Sequence, residues 1–425
     1  MKILLIGSGG REHALAWRLK QNPAVELFSA PGSSALAKLG QIRPAAIGDV
    51  AALTAVAEDL RPDLTVIGPE LPLSLGLADA LRSKGLAVFG PSAAAAEIEC
   101  SKIFAKDFMV RHNLPTASYA VFYDHQEARQ YLKHSSYPAV VKADGLAGGK
   151  GVIICGQHRQ ALAAIDALAP IPAAERLIIE EYLAGDEISF FALADGRTAI
   201  PFGSAQDHKA VHDYDRGPNT GGMGACSPSP LVTPALEKTI MDEIIRPAIE
   251  GLAIEGRPYC GLLYAGLVRT LNGLKILEFN ARFGDPETQA VLPRFKGDLA
   301  EVMMAAAQGR LEQVSPTWDP RPAVCVVMSA EGYPGPSRQG DAIAGLEQAA
   351  ARPDVEIFEA GVTREVRQGA EIPVTSGGRV LAVSALGDNM PDAVQKAYEA
   401  VSLISFEGAH YRRDIAAKAA KQAMR

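Results

Sequence analysis

Tyr137-Pro138-Ala139-Val140-Val141-Lys142-Ala143-Asp144-Gly145-Leu146-Ala147-Gly148-Gly149-Lys150-Gly151-Val152-Ile153-Ile154 decides the fold. Its two ends are apolar and rich in β-branched residues, so Tyr137 to Lys142 and Val152 to Ile154 read as strands, and the small-residue middle joins them as a hairpin. A Walker-type phosphate loop needs Ser or Thr after its lysine and a helix behind it. Here Gly151 follows Lys150 and a strand comes next, so phosphate would have to be held in another way. Glycines at the tip let the backbone approach phosphate oxygens closely, while Lys142 and Lys150 supply cations. The plainer alternative is an exposed hairpin with solvated lysines, and the segments that follow weigh against it.

Downstream, Leu177-Ile178-Ile179-Glu180-Glu181-Tyr182-Leu183-Ala184-Gly185-Asp186-Glu187 reads as a buried strand ending in acids. The N–H and C=O groups at such an end can hydrogen-bond the edge of an adenine, and a carboxylate nearby can take ribose hydroxyls. Further on comes Ile276-Leu277-Glu278-Phe279-Asn280-Ala281-Arg282-Phe283-Gly284-Asp285-Pro286-Glu287-Thr288-Gln289. Alternate strand residues share a face, so Glu278 and Asn280 project together as a carboxylate and an amide oxygen. That pair suits Mg²⁺, which takes few oxygen ligands from protein and completes its shell with water and phosphate. Arg282 adds a fixed positive fork, and Gly284-Asp285-Pro286 turns the chain back toward the strand end. An edge strand with a solvated face, and an Arg282–Asp285 salt bridge, are the corresponding plain alternatives.

Toward the N-terminus, Lys2 to Ile6, Val25 to Ser29, Leu64 to Ile67 and Ala87 to Phe89 alternate with alanine-rich helical stretches, the pattern of a parallel α/β sheet. Ligands of such sheets bind outside the carboxyl ends of the strands. Gly7-Ser8-Gly9-Gly10 opens a Gly-x-Gly turn, but Glu12 stands where a dinucleotide fingerprint needs its third glycine, and the second strand runs into Ala30-Pro31-Gly32 without a ribose-binding acid. A nicotinamide oxidoreductase is therefore disfavoured. The amides of Gly9 and Gly10 at a helix start can hold a single phosphate, or the glycines can merely permit a tight turn.

The chain has 425 residues, 48% of them hydrophobic and 21% charged, and carries a formal net charge of -7. This length suggests roughly two to four domains. The charge gives no basic footprint for nucleic acid, so an anionic ligand must be met locally. Cys100, Cys155, Cys226, Cys260 and Cys325 are scattered and never form a CxxC pair, as expected of reduced thiols in a cytoplasmic protein. The N-terminal apolar run is too short for a membrane anchor and reads as a first strand.

The order of lysine, glycine-rich hairpin, acidic strand end and Glu278/Asn280 resembles the ATP-grasp superfamily. Within it, Gly7 to Ala14, Lys142 to Val152, Gln206-Asp207-His208-Lys209, Gly217 to Gly224, Arg282 to Gln289 and Gly377-Gly378-Arg379-Val380 are similar to the phosphoribosylamine–glycine ligase family. The resemblance spans nearly the whole chain. It implies an α/β protein with a Rossmann-like, pre-ATP-grasp N-terminal domain (1–101), an ATP-grasp core (102–321, with 120–190 as a mobile hairpin subdomain) and a small C-terminal α/β domain (322–425).

The implied activity joins glycine to 5-phosphoribosylamine with ATP, through a glycyl phosphate, using Mg²⁺ or Mn²⁺. The nearest alternative is another ATP-grasp carboxylate–amine ligase. Carried over residue by residue, Lys102, Lys142 and Gly148, Gly149, Lys150 and Gly151 match phosphate contacts. Glu180, Glu181 and Leu183 match the adenine strand, and Glu187 the ribose contact. Glu278 and Asn280 match the metal ligands, while Arg282 and Lys142 are the catalytic candidates. For the other substrates, the resemblance implies Gly9, Gly10 and Glu12 near the sugar phosphate, Asp213 at the glycine ammonium, and Arg282, Gly284 and Asp285 beside the reacting groups. Asp285 either orients Arg282 or touches substrate. Asp207, His208 and Lys209 either position substrate or order their loop. Partners are small molecules only, and the chain is a monomer or small homo-oligomer. The family pattern has Gly and Phe just before the adenine strand, whereas Ala167 to Arg176 is short and has neither, which puts lid closure in question.

Overall fold

The computed structural model describes residues 1–148 and 151–423. Strands β1 (Lys2–Gly7), β2 (Glu26–Pro31), β3 (Gln41–Ile42), β4 (Leu64–Ile67) and β5 (Val88–Phe89) form a five-stranded sheet in the order β3-β2-β1-β4-β5. All its pairings are parallel. Ile3 to Ile6 are fully buried, because helices cover both faces, as a parallel sheet requires. The second strand runs to Pro31, beyond the expected Ser29, since Ile6 and Gly7 continue to pair with Ala30 and Pro31.

A second, antiparallel sheet holds β6 (Tyr119–Phe122), β7 (Ala139–Ala143), β8 (Val152–Cys155) and β9 (Leu177–Glu181), ordered β6-β9-β7-β8. The expected hairpin is the β7–β8 pair, in which Lys142 faces Val152 across the ladder. Gly149 and Lys150 lie outside the described residues. Val141, Cys155, Ile165, Leu177 and Ile179 give this subdomain its own core under the helix His158–Leu168.

The central sheet has eight strands. They are β10 (Asp186–Asp195), β11 (Ala199–Asp207), β14 (Gly224–Ser227), β15 (Cys260–Thr270), β16 (Gly273–Asn280), β17 (Ala323–Ser329), β18 (Val355–Glu359) and β21 (Arg379–Leu386). Their order is β16-β15-β10-β11-β14-β17-β21-β18. Two ribbons stand apart from it: β12 (Ala210–His212) with β13 (Arg216–Asn219), and β19 (Val362–Arg367) with β20 (Ala370–Thr375). The main C-terminal strands therefore do not stack as a separate layer, because β17 pairs with β14 through Ala225↔Cys325 and extends the sheet. Every residue of β17 is buried, so its backbone groups need ladder partners on both edges, and β14 and β21 supply them. The helix Met390–Val401 covers this end of the sheet.

Candidate active site

Where the hairpin sheet faces β16 and the end of β11, the chain leaves a cleft of about 450 Å³. Lys102, Lys142, Glu180, Glu278, Asn280 and Arg282 all line it, although they come from four different elements and the turn that follows β16.

At the hairpin side, Glu180 Oε2 accepts ion pairs from Lys142 Nζ at 2.9 Å and Lys106 Nζ at 3.1 Å. All three side chains are buried. Burial pushes the Lys106 ammonium down to about 8 despite Glu180, and its Nζ also donates to Thr116 Oγ1 at 2.7 Å. Among the described residues, nothing hydrogen-bonds Glu180 Oε1, which leaves one buried carboxylate oxygen as an unmet acceptor. The strand ends at Glu181, short of the acids Asp186 and Glu187 that close the stretch read from sequence. Glu181 N–H donates to Ser118 O at 3.0 Å, whereas Tyr182 and Leu183 leave the ladder and line the cleft. Lys102 Nζ donates to Gly145 O at 2.8 Å, tying the helix Lys102–Arg111 to the base of the glycine-rich loop. Gly148 and Gly151 also line the cleft.

Glu278 and Asn280 lie on β16 with buried Phe279 between them, so the alternation places both in the cleft. Burial acts to raise the Glu278 carboxyl, but the surrounding charges of Lys209, Lys142, Lys102 and Arg282 outweigh it and hold the group below the usual range. It is thus an anion facing cations. Among the described residues, no cluster of three or more His, Cys, Asp or Glu side chains is arranged to hold a metal alone. A carboxylate plus an amide oxygen fits a hard cation that takes its remaining ligands from water and phosphate.

Arg282 is fixed from the N-terminal side. Its Nη2 lies 2.9 Å from Glu99 Oε1, and its Nε 3.3 Å from Glu70 Oε2. Asp285 does not orient it, contrary to the alternative in which these two residues pair. Asp285 instead meets Arg379 Nη2 at 3.3 Å and accepts from Gln289 Nε2 at 2.8 Å. The turn needs Gly284, because a Cβ there would stand 2.5 Å from Glu287 Oε2. Glu287 is itself held by Tyr264, whose hydroxyl donates to Oε1 at 2.8 Å.

The N-terminal glycine turn requires a correction. Gly9 N–H donates to Glu12 Oε2 at 2.8 Å, and Arg11 Nε donates to Glu12 Oε1 at 2.6 Å. The Gly9 amide is therefore taken by the chain's own carboxylate and is not free for a phosphate. Gly7 and Gly68 make room for that carboxylate, since a Cβ at Gly68 would sit 2.2 Å from Glu12 Oε1. Gly10 packs instead against Gln289 and Ala360.

Asp213 also departs from its expected place. Its Oδ1 accepts from Arg413 N–H at 2.8 Å, and it does not line the cleft. The Asp207-His208-Lys209 string divides. Asp207 and Lys209 line the cleft, and Lys209 Nζ reaches Glu187 Oε2 at 2.8 Å. Burial, with Glu287, Glu187 and Glu278 nearby, pushes the Asp207 carboxyl up to about 7 against the pull of Lys209. His208 turns away, and its Nε2 accepts from Ala416 N–H at 3.3 Å.

Lys106, Glu99, Glu70 and Arg379 had no role assigned from sequence. Lys106 stood one helical turn after Lys102, a spacing that puts both on one face and could have marked it. The other three meet the site through long-range packing, for which one sequence carries no signal.

Comparison with known proteins gives the family. Residues 1–99, 100–288 and 323–418 match the models described as the N domain, ATP-grasp (A) domain and C domain of phosphoribosylglycinamide synthetase. The chain is similar to the phosphoribosylamine–glycine ligase of Allochromatium vinosum, at 50% identity over 99% of both chains. It is also similar to that of Vibrio vulnificus, at 47% identity over 99% of this chain and 98% of the other. A crystal structure of phosphoribosylamine–glycine ligase from Thermotoga maritima superposes with a TM-score of 0.82 at 34% identity, over 98% of this chain and 100% of that one. With relatives this similar from end to end, the chain belongs to the phosphoribosylamine–glycine ligase family.

Proposed function

We propose that this chain is an ATP-dependent ligase joining glycine to 5-phosphoribosylamine, which yields glycinamide ribonucleotide, ADP and phosphate in purine biosynthesis. The observation that carries the chemistry is one cleft in which Lys102, Lys142 and Arg282 surround an ionised Glu278 beside Asn280. Full-length identity with enzymes named for this reaction favours these substrates over those of another carboxylate–amine ligase.

A glycine carboxylate oxygen attacks the γ-phosphorus and ADP leaves. The amine nitrogen of phosphoribosylamine then attacks the acyl carbon of glycyl phosphate, phosphate departs, and the nitrogen loses its proton. Phosphoryl transfer asks mainly for positioning and charge neutralisation, and the residues suit both. Glu180 Oε1 and the backbone at Glu181 to Leu183 receive the adenine edge, and Glu187 the ribose. Lys102, Lys142, Gly148 and Gly151 hold the phosphate chain. When bound at Glu278 and Asn280, Mg²⁺ or Mn²⁺ supplies charge neutralisation on the β- and γ-phosphates. Arg282, clamped by Glu99 and Glu70, keeps its guanidinium charged and aimed at the transferring group. Gly284 and Asp285 border the glycine site.

The proposed division of labour is substrate binding in 1–101, nucleotide chemistry in 102–321 and site support from 322–425. The five free thiols support a cytoplasmic setting. Among the described residues, no helix is long and apolar enough to cross a membrane.

The test is ADP release from ATP with divalent metal. Release must require both glycine and freshly made phosphoribosylamine. If a different acid triggers it, the chain is another carboxylate–amine ligase.

A further inference from the structure

The β12–β13 ribbon runs out from the cleft and returns to it: Lys209 leads in, and Asn219, Thr220 and Gly221 lead back, all of them lining the cleft. Its two legs are tied at the base, where Thr220 N–H and Oγ1 both donate to Lys209 O at 2.8 Å. At its tip, Tyr214 and Asp215 have φ of 60° and 56°, two successive non-glycine residues in the left-handed region. Such a conformation persists only where the surroundings impose it.

Those surroundings are the C-terminal tail. Arg412 is fully buried, with 0% exposure. Its Nη1 donates to Ala210 O at 3.1 Å and pairs with Asp215 Oδ1 at 2.9 Å, while Nε and Nη2 each reach the Asp414 carboxylate at 2.7 Å. Asp414 Oδ2 in turn accepts from Tyr214 N–H at 2.8 Å, so one Arg–Asp unit grips both strained residues. The neighbouring tail residues add more ties. Arg413 N–H donates to Asp213, His410 Nε2 donates to Val211 O at 2.8 Å, and Ala416 N–H donates to His208. The far leg is held separately, because Gly221 N–H donates to Tyr333 Oη at 2.9 Å and Gly221 O accepts from Arg379 Nη1 at 2.7 Å.

We infer that the tail from His410 to Ala416 sets the position of the ribbon that carries Lys209 and Thr220 to the cleft, with Arg412 as a positioning residue for the acid and amine substrates. The geometry separates this role from adenine and phosphate binding, and the ribbon meets the ribose side only through Lys209, whose Nζ reaches Glu187 Oε2 at 2.8 Å. The ribbon enters the cleft beside Asp207 and Glu287, whereas Lys142, Glu180 and Lys102 are fixed by contacts within the hairpin subdomain and the helix Lys102–Arg111. Loosening the tail therefore moves one wall and leaves the other. The identity of the substrates rests on the proposed ligase reaction; the anchoring does not.

The experiment compares Arg412→Met and the milder Asp414→Asn with the parent in the full chain. It reads amide hydrogen exchange over 210–219 and the kinetic constants for each substrate. Expected in both variants are exchange faster by roughly tenfold or more across the ribbon and a KM for glycine or phosphoribosylamine raised about fivefold or more, with the KM for ATP held within about twofold. Arg412→Lys, which keeps the charge but loses the fork, restores part of the loss. Unchanged exchange overturns the inference. So does fast exchange with unaltered kinetics, or a KM for ATP that rises with the others. If Arg412→Met does not fold, Asp414→Asn carries the same readouts. The exchange arm needs no substrate, so a parent chain without ligase activity overturns the proposed reaction while the anchoring is still decided by exchange.

Discussion

Glu99 Oε1 lies 2.9 Å from Arg282 Nη2, and the other oxygen of the same carboxylate accepts the Ala281 N–H at 2.6 Å. One buried acid on the helix Ala93–Cys100 thus holds both the main chain and the guanidinium at the end of β16. Burial acts to raise the Glu99 carboxyl while Arg282 opposes it, so the two charges depend on each other. Replacing Glu99 by Gln keeps the hydrogen-bonding shape and removes the charge. Turnover is expected to fall by about one to two decades, as when the partner of a site residue is lost, with a smaller change in the KM for ATP. Steady-state kinetics check this, and turnover within about twofold of the parent would show that Arg282 is held adequately by Glu70 alone.

Glu278→Ala removes the only carboxylate of the proposed metal pair. Turnover at limiting Mg²⁺ should drop by about a hundredfold or more and recover partly as metal is raised. A metal titration of the initial rate decides it. Near-normal turnover at low Mg²⁺ would remove Glu278 from the metal site.

Gly284→Ala brings a Cβ to 2.5 Å from Glu287 Oε2 and 3.2 Å from Tyr264 Cε1. The strain falls on Glu287 at the floor of the cleft, so activity should be lost with little change in the thermal midpoint. Parallel assays of turnover and melting test this. A variant that unfolds without first losing activity argues that the turn is only structural.

Two largely enclosed histidines contribute to the acid side of the stability curve. Burial lowers both His13 and His208 to about 4, and each accepts a backbone N–H: His13 Nδ1 from Glu359 at 2.8 Å, and His208 Nε2 from Ala416 at 3.3 Å. Between pH 6.5 and 4 the unfolded chain takes up protons that the folded chain refuses, so stability falls as pH falls through this window. Each histidine contributes on the order of 2 kcal/mol to that loss. Urea midpoints from pH 7 to 4 should therefore decline less steeply in His13→Asn and His208→Gln, which keep an acceptor in place without a titrating ring.

Local rules made part of this molecule legible. Short apolar runs rich in β-branched residues placed β1, β4, β7 and β8 close to their observed bounds, and the Lys142 hairpin, Glu180 and the Glu278/Asn280 pair could be found from strand alternation and motif order. What could not be read depends on meetings between distant segments. Glu12 resembled a member of a phosphate site because the sequence does not show its carboxylate folding back onto Gly9 N–H. Asp213 resembled an ammonium ligand because nothing local announces that Arg413 will claim it. Arg282 and Asp285, close in sequence, suggested each other as partners, yet each charge is answered by a residue far along the chain: Glu99 for one, Arg379 for the other.

The decisive measurement follows oxygen from glycine. With glycine labelled by ¹⁸O in its carboxylate, plus ATP, divalent metal and fresh phosphoribosylamine, each turnover through glycyl phosphate moves one labelled oxygen into the released phosphate. Inorganic phosphate carrying one ¹⁸O per glycinamide ribonucleotide formed is the expected result, and it should require Glu278 and Arg282. Phosphate free of label, with ADP and product still formed, would contradict carboxylate attack on the γ-phosphate and the roles built on it.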